Sequence, residues 1–161
     1  DTPEQAERAV QCLKFPPLGN RGLDGAGLDC NFSLKSDDNY PDDANRETFI
    51  CAQIETPLAV ENADSIAAVE GIDVMLVGAG DLGLRISKAT GPVLSIDESI
   101  ERVAAATAAH GKTLGTIAID RDGMKKRHDQ GTRFLVAASE FMALKYSLEN
   151  NMELFKDVSG Q

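Results

Sequence analysis

Apolar positions along the chain change their period repeatedly, and each change marks an element. In "TPEQAERAVQCLKF", Ala6, Ala9, Val10 and Leu13 recur at helical spacing. Thr2 suits a cap, Pro3 the first turn, and Glu4 follows, so a helix is expected there. "PPLGNRGLDGAGLD" ends it with proline and glycine. The stretch 31–46, "NFSLKSDDNYPDDANR", is acidic and aperiodic, and reads as a surface connection with room for one short helical turn. "TFICAQIE" is a short apolar run between polar residues, as expected of a strand buried on both faces. "ENADSIAAVEGI" then reads as a helix ended by Gly71, and "DVMLVGAG" as a second buried strand. "IDESIERVAAATAAHG" is a helix with Asp97 as cap and Gly111 as stop. "KTLGTIAI" is a third strand, "RDGMKKRHDQG" a short polar helix closed by Gly131, and "RFLVAAS" a fourth strand. "EFMALKYSLENNMELFKDV" closes the chain as one or two amphipathic helices.

Strands that alternate with helices imply an α/β fold with parallel strands joined by right-handed crossovers. The 161 residues suffice for a single domain, 1–161, with a real core. Lys and Arg total 16 against 26 acids, a net charge of −10. No basic surface is available to neutralise phosphates, so neither nucleic acid nor an anionic membrane is an expected partner. No apolar run approaches the ~20 residues that span a bilayer. Cys12, Cys30 and Cys51 lack any C-x-x-C spacing, and free thiols in a reducing cytoplasm are expected.

Two features carry chemistry. Glu55 ends the first strand and Asp81 follows the second, 26 residues later, close to the ~30 of one βα unit. Neighbouring strands lie ~4.8 Å apart, so two carboxylates at their ends repel unless a cation sits between them. Oxygen-only ligation favours a hard ion, Mg2+ or Mn2+. The bland alternative has Glu55 capping a helix and Asp81 a turn. The second feature is "GAGDLG" at 78–83, which satisfies the dinucleotide fingerprint G-x-G-x-x-G, with "PVLSID" as a further strand ending in Asp97. Against that reading, an ionised Asp81 in the cradle repels pyrophosphate, and a complete βα unit precedes the motif.

The run "FICAQIETPLAVENADSIAAVEGIDVMLVGAGDLG" resembles the core signature of the HpcH/HpaI aldolase family, the metal-dependent class II pyruvate aldolases that include macrophomate synthase. The matching residues are Gln53-Ile54-Glu55, Asn62 with Ile66, Gly71-Ile72-Asp73, and Gly78 with Asp81-Leu82. "TPEQAERAV", "FPPLGNRG", Ala44-Asn45 and "GKTLG" extend the likeness over nearly the whole chain. The resemblance implies a (β/α)8 TIM-barrel type, of which this chain supplies about the last four βα units and a C-terminal helical segment. It implies that Glu55 and Asp81 are the protein ligands of a divalent metal, Mg2+ first, with Mn2+ or Co2+ as alternatives. It further implies that the Gly80 and Asp81 amides receive the carboxylate of a small 2-oxo acid, and that the protein is a homo-oligomer. The reaction implied is cleavage of a 4-hydroxy-2-oxo acid to pyruvate and an aldehyde through a metal-stabilised enolate. Two alternatives are a macrophomate-synthase-like decarboxylation of oxaloacetate with enolate addition, and a non-catalytic half-barrel subunit.

Departures from the family pattern are Gly83 where serine is usual, Ala79 where proline is common, and Glu140 where aspartate is usual. The loop after Gly22 also differs. Family members are considerably longer, and "DTPEQA" matches a point just after their fourth strand. The catalytic histidine and arginine of the family therefore lie upstream of this chain, and four βα units do not close a barrel of eight strands. The favoured explanation is that the chain is part of a longer protein; a ring completed by two copies and a degenerate paralogue are the others. His110 sits at a helix end and His128 in the polar "KKRHDQ" stretch, and neither follows a strand. "MKKRHD" reads as a solvated helix face, and Arg21 either reaches an acidic substrate or orients its own loop.

Overall fold

The computed structural model describes residues 1–34 and 39–160. Four parallel strands, β1 (Cys51–Ile54), β2 (Val74–Val77), β3 (Thr113–Ile117) and β4 (Phe134–Val136), pair in simple chain order. Around them run α1 (Pro3–Leu13), α2 (Tyr40–Glu47), α3 (Pro57–Glu61), α4 (Ala63–Ala67), α5 (Ala79–Lys88), α6 (Ile96–Ala109), α7 (Arg121–Asp129) and α8 (Glu140–Ser159). A sheet that adds each new strand on the same side, always by right-handed crossover, carries all its helices on one face. This is the order of a barrel wall. A doubly wound sheet instead reverses direction at a switch point, and β2, lying between β1 and β3, is no such point. The dinucleotide reading loses its required topology here.

Strand parity assigns the two faces. Ile54, Met75, Val77 and Leu114 point to the helices and join Ala6 and Val10 of α1, Ile66 of α4, Leu82 of α5, and Ile100 and Val103 of α6 in one core. The opposite face is built in rows fixed by the parallel register. Cys51, Val74 and Thr113 form one row, and Gln53, Leu76, Gly115 and Phe134 the next. Leu76 leans over Gly115, where a Cβ would lie 3.1 Å from its Cδ1. This is the large-beside-small filling of a barrel interior. Phe49 and Phe134 meet edge to face on that side, their centroids 5.8 Å apart.

Most expected elements form, with instructive differences. Thr2 does cap α1, in a capping box with Gln5. The acidic connection holds two full turns of helix, α2, because Pro41 sits in its first turn and buried Tyr40 packs edge-on to Phe15; residues 35–38 of that connection lie outside the described residues. β1 is buried only on its helix side, since Gln53 faces the open side of the sheet and is exposed. Of the helix expected over 61–72 only α4, Ala63–Ala67, forms; a separate short helix, α3, precedes it and the two meet at Asn62. Ser95, not Asp97, caps α6 through a capping box with Glu98. Asp97 instead pairs with Lys126 and Arg127 of α7, and "PVL" before it is not a strand. Gly111 and Gly131, at φ +64° and +99°, follow α6 and α7 in the left-handed region that stops a helix. α8 is one continuous helix with no buried residue.

Family-like motifs near the start prove to be structural. Asn45 accepts from the Phe15 amide at 2.8 Å and donates to the Phe15 carbonyl at 3.0 Å. The buried Lys14 ammonium donates to the Asn45 and Thr48 carbonyls and to the Thr48 hydroxyl. Together these residues lock the end of α1 to the end of α2. Asp73 accepts from the Ile50 amide at 2.7 Å and aligns the starts of β1 and β2.

Candidate functional site

The carboxyl ends of β1 and β2 set the candidate site. Register places Ile54 beside Val77, and the Gly78 amide donates to the Ile54 carbonyl at 3.1 Å. Glu55 and Gly78 are therefore neighbours on the open face of the sheet. The Glu55 side chain lies directly over Gly78, where a Cβ would sit 2.6 Å from both its Cγ and its Oε1. Any other residue at 78 would drive the carboxylate away. Gln53, one row lower on the same face, donates from Nε2 to Glu55 Oε1 at 2.9 Å and fixes its orientation.

Gly78, Ala79 and Gly80, assigned by the apolar pattern to the end of the second strand, instead cap and open α5 directly after it. Leu82 is fully buried and Ile86 packs against the same core, so this apolar stripe holds the helix despite its two internal glycines. Gly78 occupies the cap position and offers no side-chain acceptor. The first internal bond runs from the Leu82 amide to the Gly78 carbonyl, and the Ala79, Gly80 and Asp81 amides donate to nothing among the described residues. Gly80 is exposed, and a Cβ there would meet open space. A small carboxylate suits three free amides at the positive end of a helix.

Asp81 projects from that same first turn. The Nη1 of Arg85, one helical turn on, donates to Asp81 Oδ1 at 3.0 Å, the Asp81 carbonyl at 3.2 Å and the Glu55 carbonyl at 3.3 Å. One guanidinium nitrogen thus touches both acidic residues. The structure brings the expected pair, Glu55 and Asp81, and Gly80 to a single rim. Among the described residues, no group of three or more His, Cys, Asp or Glu side chains is placed to hold a metal ion. Two carboxylates make an oxygen-only donor set that suits a hard divalent ion whose other ligands come from water or a substrate.

Other candidates lie elsewhere. His110 follows the C-terminal end of α6 and pairs with Asp64 of α4 at 3.0 Å, while His128 is exposed in the last turn of α7. Helix C-termini return to the opposite end of the sheet from Glu55. Arg21 stacks on the Phe15 ring, its Cζ 4.5 Å from the centroid, and donates to the Tyr40 hydroxyl at 3.4 Å, which orients its loop. Cys12, Cys30 and Cys51 are all free, and burial raises the Cys51 thiol above its ordinary value. Gln53 and Arg85 had no role assigned from sequence. Arg85 had a readable signal in its i, i+4 spacing from Asp81; Gln53 had only its parity with Glu55.

Comparison with known proteins agrees with this fold. The family model described as HpcH/HpaI aldolase/citrate lyase matches residues 1–145. A 2-keto-3-deoxy-L-rhamnonate aldolase of Klebsiella pneumoniae is 33% identical over all of this chain and 60% of its own length. One from Salmonella paratyphi A is 34% identical over 99% of this chain and 60% of its own. Among solved structures, an HpcH/HpaI aldolase from Desulfitobacterium hafniense superposes with TM-score 0.81 at 28% identity, over 96% of this chain and 60% of that one. Macrophomate synthase, at 22% identity, shares the fold with TM-score 0.77 over 98% of this chain and 56% of its own. The chain thus spans about 60% of the length of the curated relatives it matches.

Proposed function

Because the chain belongs to the HpcH/HpaI aldolase/citrate lyase family, we propose that it forms the metal-binding part of a carbon–carbon lyase that cleaves a 4-hydroxy-2-oxo acid to pyruvate and an aldehyde. The observation that carries this reading is the Glu55 carboxylate lying over Gly78, at the foot of the helix turn that bears Asp81. A bound divalent ion, Mg2+ in this reading, supplies Lewis acidity that stabilises the enolate of pyruvate. Glu55 and Asp81 hold it through carboxylate oxygens, and Gln53 keeps Glu55 turned to the rim. The Gly80 and Asp81 amides receive the substrate carboxylate and fix the 2-oxo group beside the two acids. The sugar acid in the name of the Klebsiella relative is a 3-deoxy 2-oxo acid, which supports this substrate class.

The same reading includes a homo-oligomer in the cytoplasm. Phe141, Leu144, Leu148, Met152 and Phe155 of α8 are each more than half exposed, an apolar surface of the kind that marks association. Three free thiols suit a reducing compartment.

The test is pyruvate release from a 4-hydroxy-2-oxo acid by the whole lyase of which this chain is the metal-binding part, with oxaloacetate as comparison substrate. Turnover is expected to vanish with a chelator and return with Mg2+ or Mn2+. Glu55→Gln and Asp81→Asn are each expected to lower it by more than about 100-fold, beyond the range seen for outer-shell changes. Full turnover of Glu55→Gln in the presence of a chelator would overturn the proposal.

A further inference from the structure

Arg85 brings a fixed positive charge into contact with one of the two acids. It is about half exposed, at 45% for its side chain. Its Nη1 divides its hydrogens among three acceptors at 3.0, 3.2 and 3.3 Å. Shared contacts of this kind hold weakly at each acceptor, and an exposed arginine swings into water at little cost. No hydrogen bond is formed by its Nε or Nη2 with the described residues. A guanidinium stays charged across the whole working pH range. The rim therefore carries two carboxylates and a guanidinium.

We propose that Arg85 is the resident counter-cation of the two-acid rim, weakening uptake of a divalent cation there and strengthening that of a carboxylate ligand. The inference rests on the metal-binding reading above. Charge counting gives the sign. With Arg85 beside them, two carboxylates and a divalent ion leave a net charge of +1 at the rim, which opposes binding of the ion alone. A singly charged 2-oxo acid, seated on the free amides of α5, returns the total to zero. Without the guanidinium the ion alone neutralises the acids and binds more tightly, while the anion loses the attraction of Arg85 and binds more weakly. Ion and anion also attract each other directly, and each raises the affinity of the other by the same factor, which the fixed charge of Arg85 leaves unchanged. Opposing charges at these separations near a protein surface are only partly screened, so the effect is measurable at ordinary salt.

A competing role makes the opposite prediction. If Arg85 served only to hold the Asp81 rotamer, as an ordinary i, i+4 pair does, its removal would loosen a ligand and weaken ion binding. A counter-cation, when removed, strengthens it.

The experiment titrates Mn2+ into the protein, followed by the electron spin resonance of free Mn2+, without pyruvate and over a range of pyruvate concentrations up to saturation. Wild type, Arg85→Gln, Arg85→Lys, Glu55→Gln and Asp81→Asn are compared, with thermal unfolding measured for each. Arg85→Gln is expected to bind Mn2+ alone about tenfold more tightly than wild type, and to need about tenfold more pyruvate to reach the full enhancement. Arg85→Lys keeps the charge and is expected to behave as wild type. Equal or weaker Mn2+ binding by Arg85→Gln, with its unfolding temperature unchanged, overturns the counter-cation role alone. Absence of Mn2+ uptake by wild type, or uptake indifferent to both Glu55→Gln and Asp81→Asn, overturns the metal-binding reading and this inference with it.

Discussion

At the scale of single residues, Gly78 is the position where the smallest change reaches furthest. Its φ of −81° is open to any residue, so alanine there strains no backbone. The added Cβ would nevertheless fall 2.6 Å from Glu55 Cγ and Oε1, and the flexible carboxylate is what gives way. Gly78→Ala is expected to weaken Mn2+ binding by about 10- to 100-fold, as loss of ligand orientation does elsewhere. Far-UV circular dichroism and unfolding temperature should stay near wild type, which separates a displaced ligand from a misfolded chain. Gln53→Ala removes one hydrogen bond to Glu55 and should act in the same direction, more weakly. Both acids of this rim were readable in the sequence, because strand ends and βα spacing locate them. The contact between Glu55 and Gly78 was not, since it depends on the register of β1 against β2 rather than on neighbours in the chain.

Among the elements, α5 is the one that pattern reading missed. Three glycines in "GAGDLG" suppress helix propensity, and only the core that receives Leu82 and Ile86 overrides it. Leu82→Ala is accordingly expected to cost about 2–5 kcal/mol in chemical denaturation, the range for a fully buried leucine. The loss should also shift Asp81 and weaken ion binding. The link between α6 and α7 is of another kind. Hydrogen bonds from Lys126 and then Arg127 hold the Asp97 carboxyl below its ordinary value of 3.8. A depressed carboxyl contributes stability above the unfolded value and loses it as pH falls through the folded one. Asp97→Asn is therefore expected to be less stable than wild type at pH 7, by under about 1 kcal/mol for so exposed a pair. The difference should close at pH values well below 3.8, where the carboxyl is protonated in both states; unfolding measured at both pH values checks this. The cap of α6 lies two residues before the expected Asp97, because Ser95 and Glu98 form an S-x-x-E capping box, a signal present in the sequence itself.

For the molecule as a whole, the sheet is open on one side. Gln53 and Ile117 are exposed on the face opposite the helices, and α8 extends with every residue exposed. Replacing Phe141, Leu148 and Phe155 by serine is expected to shift the protein toward smaller species in sedimentation velocity while the helix signal is retained. An unchanged distribution would remove α8 from the association surface. The sequence by itself determined the α/β class, the four strands and their parallel sense, the core stripes of α1 and α6, and the position of Glu55 at a strand end, because each follows from local period and from the handedness of βα units. Only the tertiary structure decided that the glycines begin a helix, that Glu55 rests on Gly78, and that Arg85 reaches both acidic residues. Those facts depend on which strands pair and in what register, a choice made by packing across the whole sheet.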